Sequence, residues 1–198
     1  MRRATLSTGA ITARAADLAD DMGFEAMTLS AVARSLGVQT PSLYSHVRDL
    51  AALRSDVTAL ALSDLAARIA SNIAGRSERQ ALDGLADAYR EFAHQHPGRW
   101  QALQRRADPG AVRSTGAHSV VELTRAVLLG YRLPDSQHVH AIRFIGSTIN
   151  GFLSLERIGS FDHSSPDPET SWHRVVDAVD AALRDWPSDP PIHQDADH

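Results

Sequence analysis

Apolar residues recur at intervals of three and four along almost the whole chain, which is the spacing of helices with one buried face. The pattern begins with Ile11, Ala15 and Met22, and Gly23 then stands where a helix-terminating glycine is expected. No segment shows the convincing alternation that indicates a strand. The sequence therefore predicts an all-α protein of about nine helices.

Capping residues and Pro-Gly breaks divide this pattern into separate helices. Thr28, Asp49 and Ser77 stand where N-caps are expected, and Pro134 opens a later helix. A tail over 187–198, rich in proline, aspartate and histidine, is expected to be disordered. The predicted helices cover residues 11–22, 28–36, 41–47, 49–75, 77–96, 97–106, 111–131, 134–159 and 169–186.

The amino-acid composition excludes some kinds of functional site and some kinds of partner. The chain has no cysteine, which excludes disulfides and thiolate sites, and all 20 of its basic residues are arginine. Its net charge of −4 and pI near 6.2 do not indicate a nucleic-acid binder, but whole-chain charge is a weak guide when binding uses one face. No stretch approaches the ~20 apolar residues of a membrane span, so we expect a cytoplasmic protein without a membrane partner.

Residues 28–47 carry the most informative pattern. Two short predicted helices are separated by a Leu-Gly-Val-Gln turn at 36–39, with small Ala33 where the helices would touch and Leu43 facing the core. This arrangement is typical of a helix-turn-helix, whose second helix enters the major groove of DNA. A plain antiparallel helix pair in an all-α protein is the alternative.

The second helix of this unit offers hydrogen-bonding side chains of modest length, and no acidic residue lies between Glu25 and Asp49 to repel phosphate. Gln39 suits adenine, whereas Tyr44 and His46 suit phosphate. An ordinary half-buried tyrosine is the alternative at position 44. Two N-terminal arginines are candidates for an arm that reaches the minor groove. The predicted DNA contacts are Arg2, Arg3, Thr28, Ser30, Gln39, Thr40, Pro41, Ser42, Tyr44, Ser45, His46 and Arg48.

The combination of Gly-Phe at 23–24, Thr-Leu at 28–29, Leu-Gly-Val at 36–38 and Leu-Tyr-x-His at 43–46 resembles the DNA-binding domain of the tetracycline-repressor (TetR) family. The resemblance implies a three-helix DNA-binding head over 1–52 and a helical ligand-binding and dimerisation body over 53–186. It also implies a homodimer on a palindromic double-stranded DNA operator. Such a protein is a repressor that a small-molecule inducer releases.

One position departs from the family's pattern. The family usually has a lysine shortly after the Leu-Tyr-x-His histidine, where it holds a phosphate, and Leu50 stands at that place. Arg48 is the candidate replacement. The substitution also leaves open a second interpretation, in which the chain is a helical interaction module that has lost operator binding.

Two C-terminal helices carry stripes that suit subunit packing. The last predicted helix has large apolar residues on one face, and the helix before it has a small-residue stripe. Such faces fit a four-helix bundle across a two-fold axis, although they could also only close the core of one protomer. The predicted dimer interface comprises Ser147, Gly151, Ser154, Trp172, Val176, Val179 and Leu183.

Residues 92–100 and 150–161 are similar to a C-terminal domain type of the same family, named for its Trp and His-Gly signature, with Asn150 in place of the histidine. This resemblance names no ligand. An inducer pocket is expected within the body, over about 60–152, and it needs an apolar lining with a few polar groups. An inward-turned Arg125 or Arg143 would favour an acidic ligand. For each candidate pocket residue, plain core packing is the alternative. The candidates are Tyr89, Phe92, Trp100, Leu103, His118, Leu123, Phe144 and Asn150.

The sequence gives little support for a metal site or for an enzyme active site. The pairs His94/His96 and His138/His140 are two residues apart, so on a helix they point in different directions, and no metal is expected. The sequence contains no Gly-rich phosphate loop, nucleophile elbow or HExxH motif. We therefore expect neither a cofactor nor catalysis, with an all-α enzyme as a formal alternative.

Overall fold

The computed structural model describes residues 6–106 and 108–187, and within these ranges the chain forms nine α-helices and three short 3-10 segments, without a strand. The prediction of an all-α protein is confirmed. The N-terminal elements are α1 (Thr8–Met22), α2 (Leu29–Ser35), a 3-10 segment (Thr40–Leu43) and α3 (Leu50–Ile73). They are followed by α4 (Glu78–Gln95), α5 (Pro97–Leu103), α6 (Pro109–Val112), α7 (Thr115–Leu128), α8 (His138–Arg157) and α9 (Pro168–Arg184).

The head consists of α1, α2, the 3-10 segment and the first part of α3, packed around one apolar core. Ile11, Leu43 and Leu53 are fully buried in this core. Side-chain caps begin the first two helices, because the hydroxyls of Ser7 and Thr28 accept hydrogen bonds from backbone N–H groups of the first turn. Local capping and apolar packing therefore specify the same three-helix unit.

The body consists of the rest of α3 together with α4 to α9, packed around a second core. Phe92, Trp100 and Trp172 are buried in it. The helix α3 runs through both units, since Val57 belongs to the head core and Leu65 to the body core. The predicted division at residue 52 falls in the first turn of this continuous helix and stays a prediction.

A close approach joins α7 to α3. A Cβ at Gly116 would lie 2.5 Å from the backbone nitrogen of Ser63, so only glycine allows this separation. The helix α7 also packs against α4 and α8. The helix α7 therefore lies in direct contact with the backbone of α3, the helix that enters the head.

Two predicted helices differ from those observed. The segment predicted as a helix over 41–47 is a 3-10 turn over Thr40–Leu43 that continues as turns to 46, because most of its hydrogen bonds join residues three apart. The helix predicted over 111–131 is interrupted: Ser114 is extended, and its hydroxyl accepts a bond from Ala117 N at 3.2 Å, which begins α7 as a new helix.

None of the helices in the described ranges has both the length and the apolar character that a membrane span requires. The predicted tail lies outside the described residues except for Pro187.

Candidate nucleic-acid interface

The turn of the helix-turn-helix depends on Gly37. This residue has φ +69°, a left-handed conformation that glycine adopts without strain. The reversal brings Val38 N within 3.0 Å of the carbonyl oxygen of Ala33, a buried small residue. The turn therefore sets the angle between α2 and the segment that follows it.

We call residues 39–48 the recognition segment. Leu43 and Val47 are buried in the head core and anchor it from below. Thr8 Oγ1 at the start of α1 also donates a hydrogen bond of 3.1 Å to the carbonyl oxygen of His46. These contacts hold the segment on the head while its opposite side faces solvent.

The outward side of the recognition segment carries the residues predicted to contact DNA. Tyr44 is 57% exposed, which contradicts the alternative of an ordinary half-buried core tyrosine. Thr40 and His46 are half-buried. The exposed members are Gln39, Pro41, Ser42, Tyr44, Ser45 and Arg48. The structure thus brings the predicted side chains together on one solvent-facing surface.

Charge at the end of this segment comes from Arg48, whose side chain is 81% exposed. Its Nε donates to Asp49 at 2.9 Å, which leaves the terminal guanidinium nitrogens towards solvent. Asp49 is the N-cap of α3, and the hydrogen bond from Ala52 N, followed by the one from Arg48, lowers the pKa of its carboxyl. Leu50, which occupies the family's lysine position, packs partly buried against the head core.

Other predicted contacts lie at the edge of this surface or beyond the described residues. Thr28 is exposed, but its hydroxyl is engaged as the cap of α2 by Ala31 N at 3.2 Å. Ser30 is exposed in the first turn of α2. Arg2 and Arg3 fall outside the described residues, so the proposed arm has no structural description.

Two residues of this surface are not among the DNA contacts predicted from the sequence. Arg34 is exposed in the last turn of α2, and its place on the polar side of that helix was the available signal. Thr8 lies far from the recognition segment in sequence, and no local pattern indicates its contact with His46.

A polar cluster docks the head on the body where α5 meets α1. Asp20 Oδ1 accepts hydrogen bonds from the backbone nitrogens of Gly98 at 3.0 Å and Arg99 at 2.8 Å, so a head carboxylate caps a body helix. His96 Nδ1 lies 3.1 Å from Asp20 Oδ2. A Cβ at Gly98 would lie 1.8 Å from the carbonyl oxygen of Ala19, so the backbones of α1 and α5 are in direct contact.

Arg99 extends this junction to a third helix. Its side chain is only 13% exposed and pairs with Asp17 and Asp20 of α1 and with Asp64 of α3. A second link comes from Gln101, whose Oε1 accepts a hydrogen bond of 3.0 Å from Phe24 N. The position of the recognition segment is therefore tied to α5.

The eight predicted pocket residues do not line a single cavity. Phe92 and Trp100 are core residues with almost no exposed surface, and Leu103 packs partly buried against the same core. The ring of Phe144 contacts that of Trp186 in a tilted arrangement, with centroids 5.6 Å apart and an interplanar angle of 58°. These side chains pack in the core. Helical periodicity in the sequence predicts that a residue is buried, but it does not distinguish a packed core position from one that lines a cavity.

The other four pocket candidates lie at four different places. Tyr89 lines a small cavity between α4, α7 and α8. Leu123 lines a shallow groove between α3 and α7, and exposed His118 lines a depression next to it. Asn150 is engaged by Gln104 at 2.8 Å and by the carbonyl oxygen of Gly146 at 2.7 Å. Of these sites, only the one at Tyr89 lies within the body core.

The predicted dimer interface is wrong for the last helix. Trp172, Val176, Val179 and Leu183 are buried in the core of their own protomer, so their side chains cannot form a subunit contact. A periodic apolar stripe identifies a buried face but does not say which chain covers it. Ser147 and Gly151 on α8 are exposed and Ser154 is half-buried, so this part of the predicted interface remains accessible.

Across residues 6–106 and 108–187, no three histidine, aspartate or glutamate side chains form a group that could hold a metal ion. The histidines of the first close pair diverge, because His94 Nε2 lies 3.3 Å from Glu156 whereas His96 faces Asp20.

Two family models match this chain. The model described as bacterial regulatory proteins, tetR family, matches residues 11–53, which include most of α1 and all of α2 and the recognition segment. The model described as tetracyclin repressor-like, C-terminal domain, matches residues 82–179 in the body.

Similar proteins agree with these matches. An uncharacterised HTH-type transcriptional regulator of Mycobacterium tuberculosis, Rv0681, is 34% identical over 170 residues, covering 84% of this chain and 77% of that protein. Another from Bacillus subtilis, YobS, is 28% identical over 153 residues, covering 77% and 80%.

Solved structures share the fold. A TetR variant from Acinetobacter baumannii AYE in complex with minocycline has a TM-score of 0.70 at 19% identity, covering 93% of this chain and 99% of that one. BioQ of Mycobacterium smegmatis has a TM-score of 0.71 at 18% identity, covering 91% and 99%. Together with the two matched domains and the M. tuberculosis relative, these findings lead to one conclusion: the chain belongs to the TetR family of helix-turn-helix transcriptional regulators.

Proposed function

We propose that this chain is a homodimeric cytoplasmic repressor that binds a palindromic operator through its recognition segment and is released by a small molecule bound in the body. The observation that carries the proposal is the recognition segment itself. It presents polar side chains and Arg48 to solvent, without a carboxylate from residue 26 to residue 48. In a helix-turn-helix this element reads base edges and contacts phosphates.

Dimerisation is required because two heads must reach half-sites about 34–36 Å apart, or multiples of this distance. The exposed side of α8 supports the assignment of a second copy to that face, since it combines Ser147 and Gly151 with exposed Leu155, and exposed Ile158 directly follows the helix. Small residues allow close helix packing, and apolar ones gain from burial. On α9 the exposed Ala178 would join this interface in place of the buried tryptophan and valines.

Release follows if ligand binding favours a body shape that does not fit the operator. The junction at Asp20, Gly98 and Arg99 and the close contact of α7 with α3 connect the body to the head by short paths. A ligand that binds better to the non-operator shape shifts the population towards it, with a coupling typically of about 1–3 kcal/mol.

The test is fluorescence anisotropy with the full chain and labelled duplexes from its own promoter region. Thr40→Ala and Tyr44→Phe are expected to weaken binding by about fivefold to tenfold each, the effect of one lost hydrogen bond. Ser160→Ala is the matched control, because it removes an exposed hydroxyl from the body, far from the head in sequence. Full operator affinity in both head variants would refute the assignment of the recognition segment.

Leu50 supports a second candidate function, an interaction module that no longer binds an operator. Its side chain packs against the head core and supplies no charge to a phosphate. Equal and weak binding to promoter and scrambled duplexes would favour this candidate, as would a salt-insensitive complex with another protein.

A further inference from the structure

A cavity of about 70 Å³ lies within the body between α4, α7 and α8. Its walls are almost entirely aliphatic, with Gly146 of α8 among them. Tyr89 and Thr124 supply the polar side chains of the lining, and no charged side chain takes part in it. The other lining residues are Leu85, Val120, Val121, Ile142, Ile145 and Ile149.

Of the two polar side chains, one is available to a ligand. Thr124 Oγ1 donates to the carbonyl oxygen of Val120 at 2.8 Å and is thereby engaged within its own helix. The hydroxyl of Tyr89 makes no hydrogen bond to any described residue. Burial raises the pKa of Tyr89 to about 12, so the phenol is neutral at physiological pH and can both donate and accept.

The arginines considered for an acidic ligand do not reach this cavity. Arg143 is exposed, and the side chain of Arg125 is turned towards Glu122, with 3.9 Å between Arg125 Nε and Glu122 Oε1. A carboxylate in the cavity would therefore lose its hydration without gaining an opposite charge, which is strongly unfavourable.

We infer that this cavity binds an uncharged, mostly apolar molecule of about one aromatic ring, whose single polar group hydrogen-bonds the hydroxyl of Tyr89. The inference rests on the proposed function, since it names the chemical class of the inducer. The cavity is about half the ~150 Å³ of an apolar cavity that holds benzene. Such a ligand must therefore part α7 from α8 as it enters.

Two structural paths connect a ligand in this cavity to the head. Parting α7 from α8 displaces α7, which lies against α3 at Gly116. The ring of Tyr89 also packs edge-on against Trp100 of α5, with centroids 6.3 Å apart and an interplanar angle of 89°. Two residues before Trp100, Gly98 touches α1. A ligand beside Tyr89 thus acts on α3, through α7, and on α5, through Trp100, and these two helices connect the body to the head.

The probes for the test are benzamide, benzoate and benzylamine, which share one ring and differ in charge at neutral pH. Calorimetry with the full chain measures their binding, and anisotropy measures release of a labelled promoter duplex. We expect benzamide to bind at least about tenfold more tightly than either charged probe, because only the charged probes lose ionic hydration.

Three variants locate the site. Tyr89→Phe keeps the ring beside Trp100 and is expected to weaken benzamide binding by about fivefold to tenfold through loss of one hydrogen bond. Gly146→Leu is expected to abolish it, since a Cβ at 146 meets nothing within 4 Å and the added side chain can fill the cavity. Ala67→Leu is the matched control, because it adds the same side chain to the larger groove of about 520 Å³ between α3 and α7.

The outcomes separate the inference from the proposed function. Benzoate binding as tight as benzamide binding, no benzamide binding in the millimolar range, or a loss in Ala67→Leu but not in Gly146→Leu would each overturn the inference. The proposed function would stand in all three cases as long as the chain binds its operator. Absence of operator binding by the unsubstituted chain would overturn the proposed function instead. If sedimentation shows that Gly146→Leu alters dimerisation, Tyr89→Phe decides: an unchanged benzamide affinity refutes the inference.

Discussion

Replacing Gly98 with alanine is expected to force apart the two helices that join head and body. A Cβ at this position would lie 1.8 Å from the carbonyl oxygen of Ala19 and 2.0 Å from its carbonyl carbon. Both are backbone atoms of α1, so no side-chain rotation can relieve the overlap. The helix α5 must retreat by roughly 1.5 Å to restore ordinary van der Waals separation.

The expected loss in the free energy of unfolding follows from the contacts that this retreat of α5 disturbs. It stretches the hydrogen bonds from Gly98 N at 3.0 Å and Arg99 N at 2.8 Å to Asp20 Oδ1. A hydrogen bond to a charged group contributes about 1.5–3 kcal/mol, and overpacking typically costs about 1–3 kcal/mol. Because relaxation stretches the bonds without breaking both, we expect a loss of about 3–5 kcal/mol in the free energy of unfolding.

Urea unfolding followed by circular dichroism measures this loss, at one fixed protein concentration because dimer stability depends on concentration. Gly9→Ala is the matched control, since a Cβ at Gly9 in α1 meets nothing within 4 Å. It is expected to remain within about 1 kcal/mol of the unsubstituted chain. A Gly98→Ala variant that differs from the unsubstituted chain by less than about 0.5 kcal/mol would refute the close approach of α1 and α5.

Three further predictions concern pH, assembly and DNA contact. Stability is expected to fall as the pH rises from 10.0 to about 12, because burial raises the pKa of Tyr89 in the folded chain and the unfolded chain loses this proton first. Tyr89→Phe should reduce the slope of urea midpoint against pH in that range; an unchanged slope would contradict a buried phenol. Gly151→Arg is expected to yield monomers in sedimentation, whereas Trp172→Phe lowers the melting temperature without dissociation; the reverse pattern would restore the predicted interface on α9. Arg48→Ala should weaken operator binding and reduce the slope of log K against log salt by about 0.9, and an unchanged slope would exclude a phosphate contact.

The head could be predicted from sequence because its signals are local. Thr28 caps α2 and Gly37 makes the turn, and each acts within a few residues of its own position. The exposed side of the recognition segment follows from the same local pattern, since Leu43 identifies the side that is buried. The contact of Thr8 with His46 joins residues far apart in sequence and could not be predicted in this way.

The body was predicted less completely because its features depend on which helices meet. The stripe at Trp172 and Val176 was correctly recognised as buried, yet the partner that buries it is the protomer itself. Phe92 and Tyr89 have similar positions in the helical period, but one lies in the core and the other lines a cavity. Aromatic residues on an apolar face do not reveal where packing leaves space.

Operator recognition is tested by a footprint of the full chain on its own promoter-region DNA, beside a scrambled duplex of equal length. We expect saturable protection of a palindrome whose half-site centres lie about 34–36 Å, or a multiple of this distance, apart, and we expect Tyr44→Phe to shift the protection to higher protein concentration. Equal and weak protection of both duplexes, unaffected by Tyr44→Phe, would contradict operator recognition by the segment over 39–48.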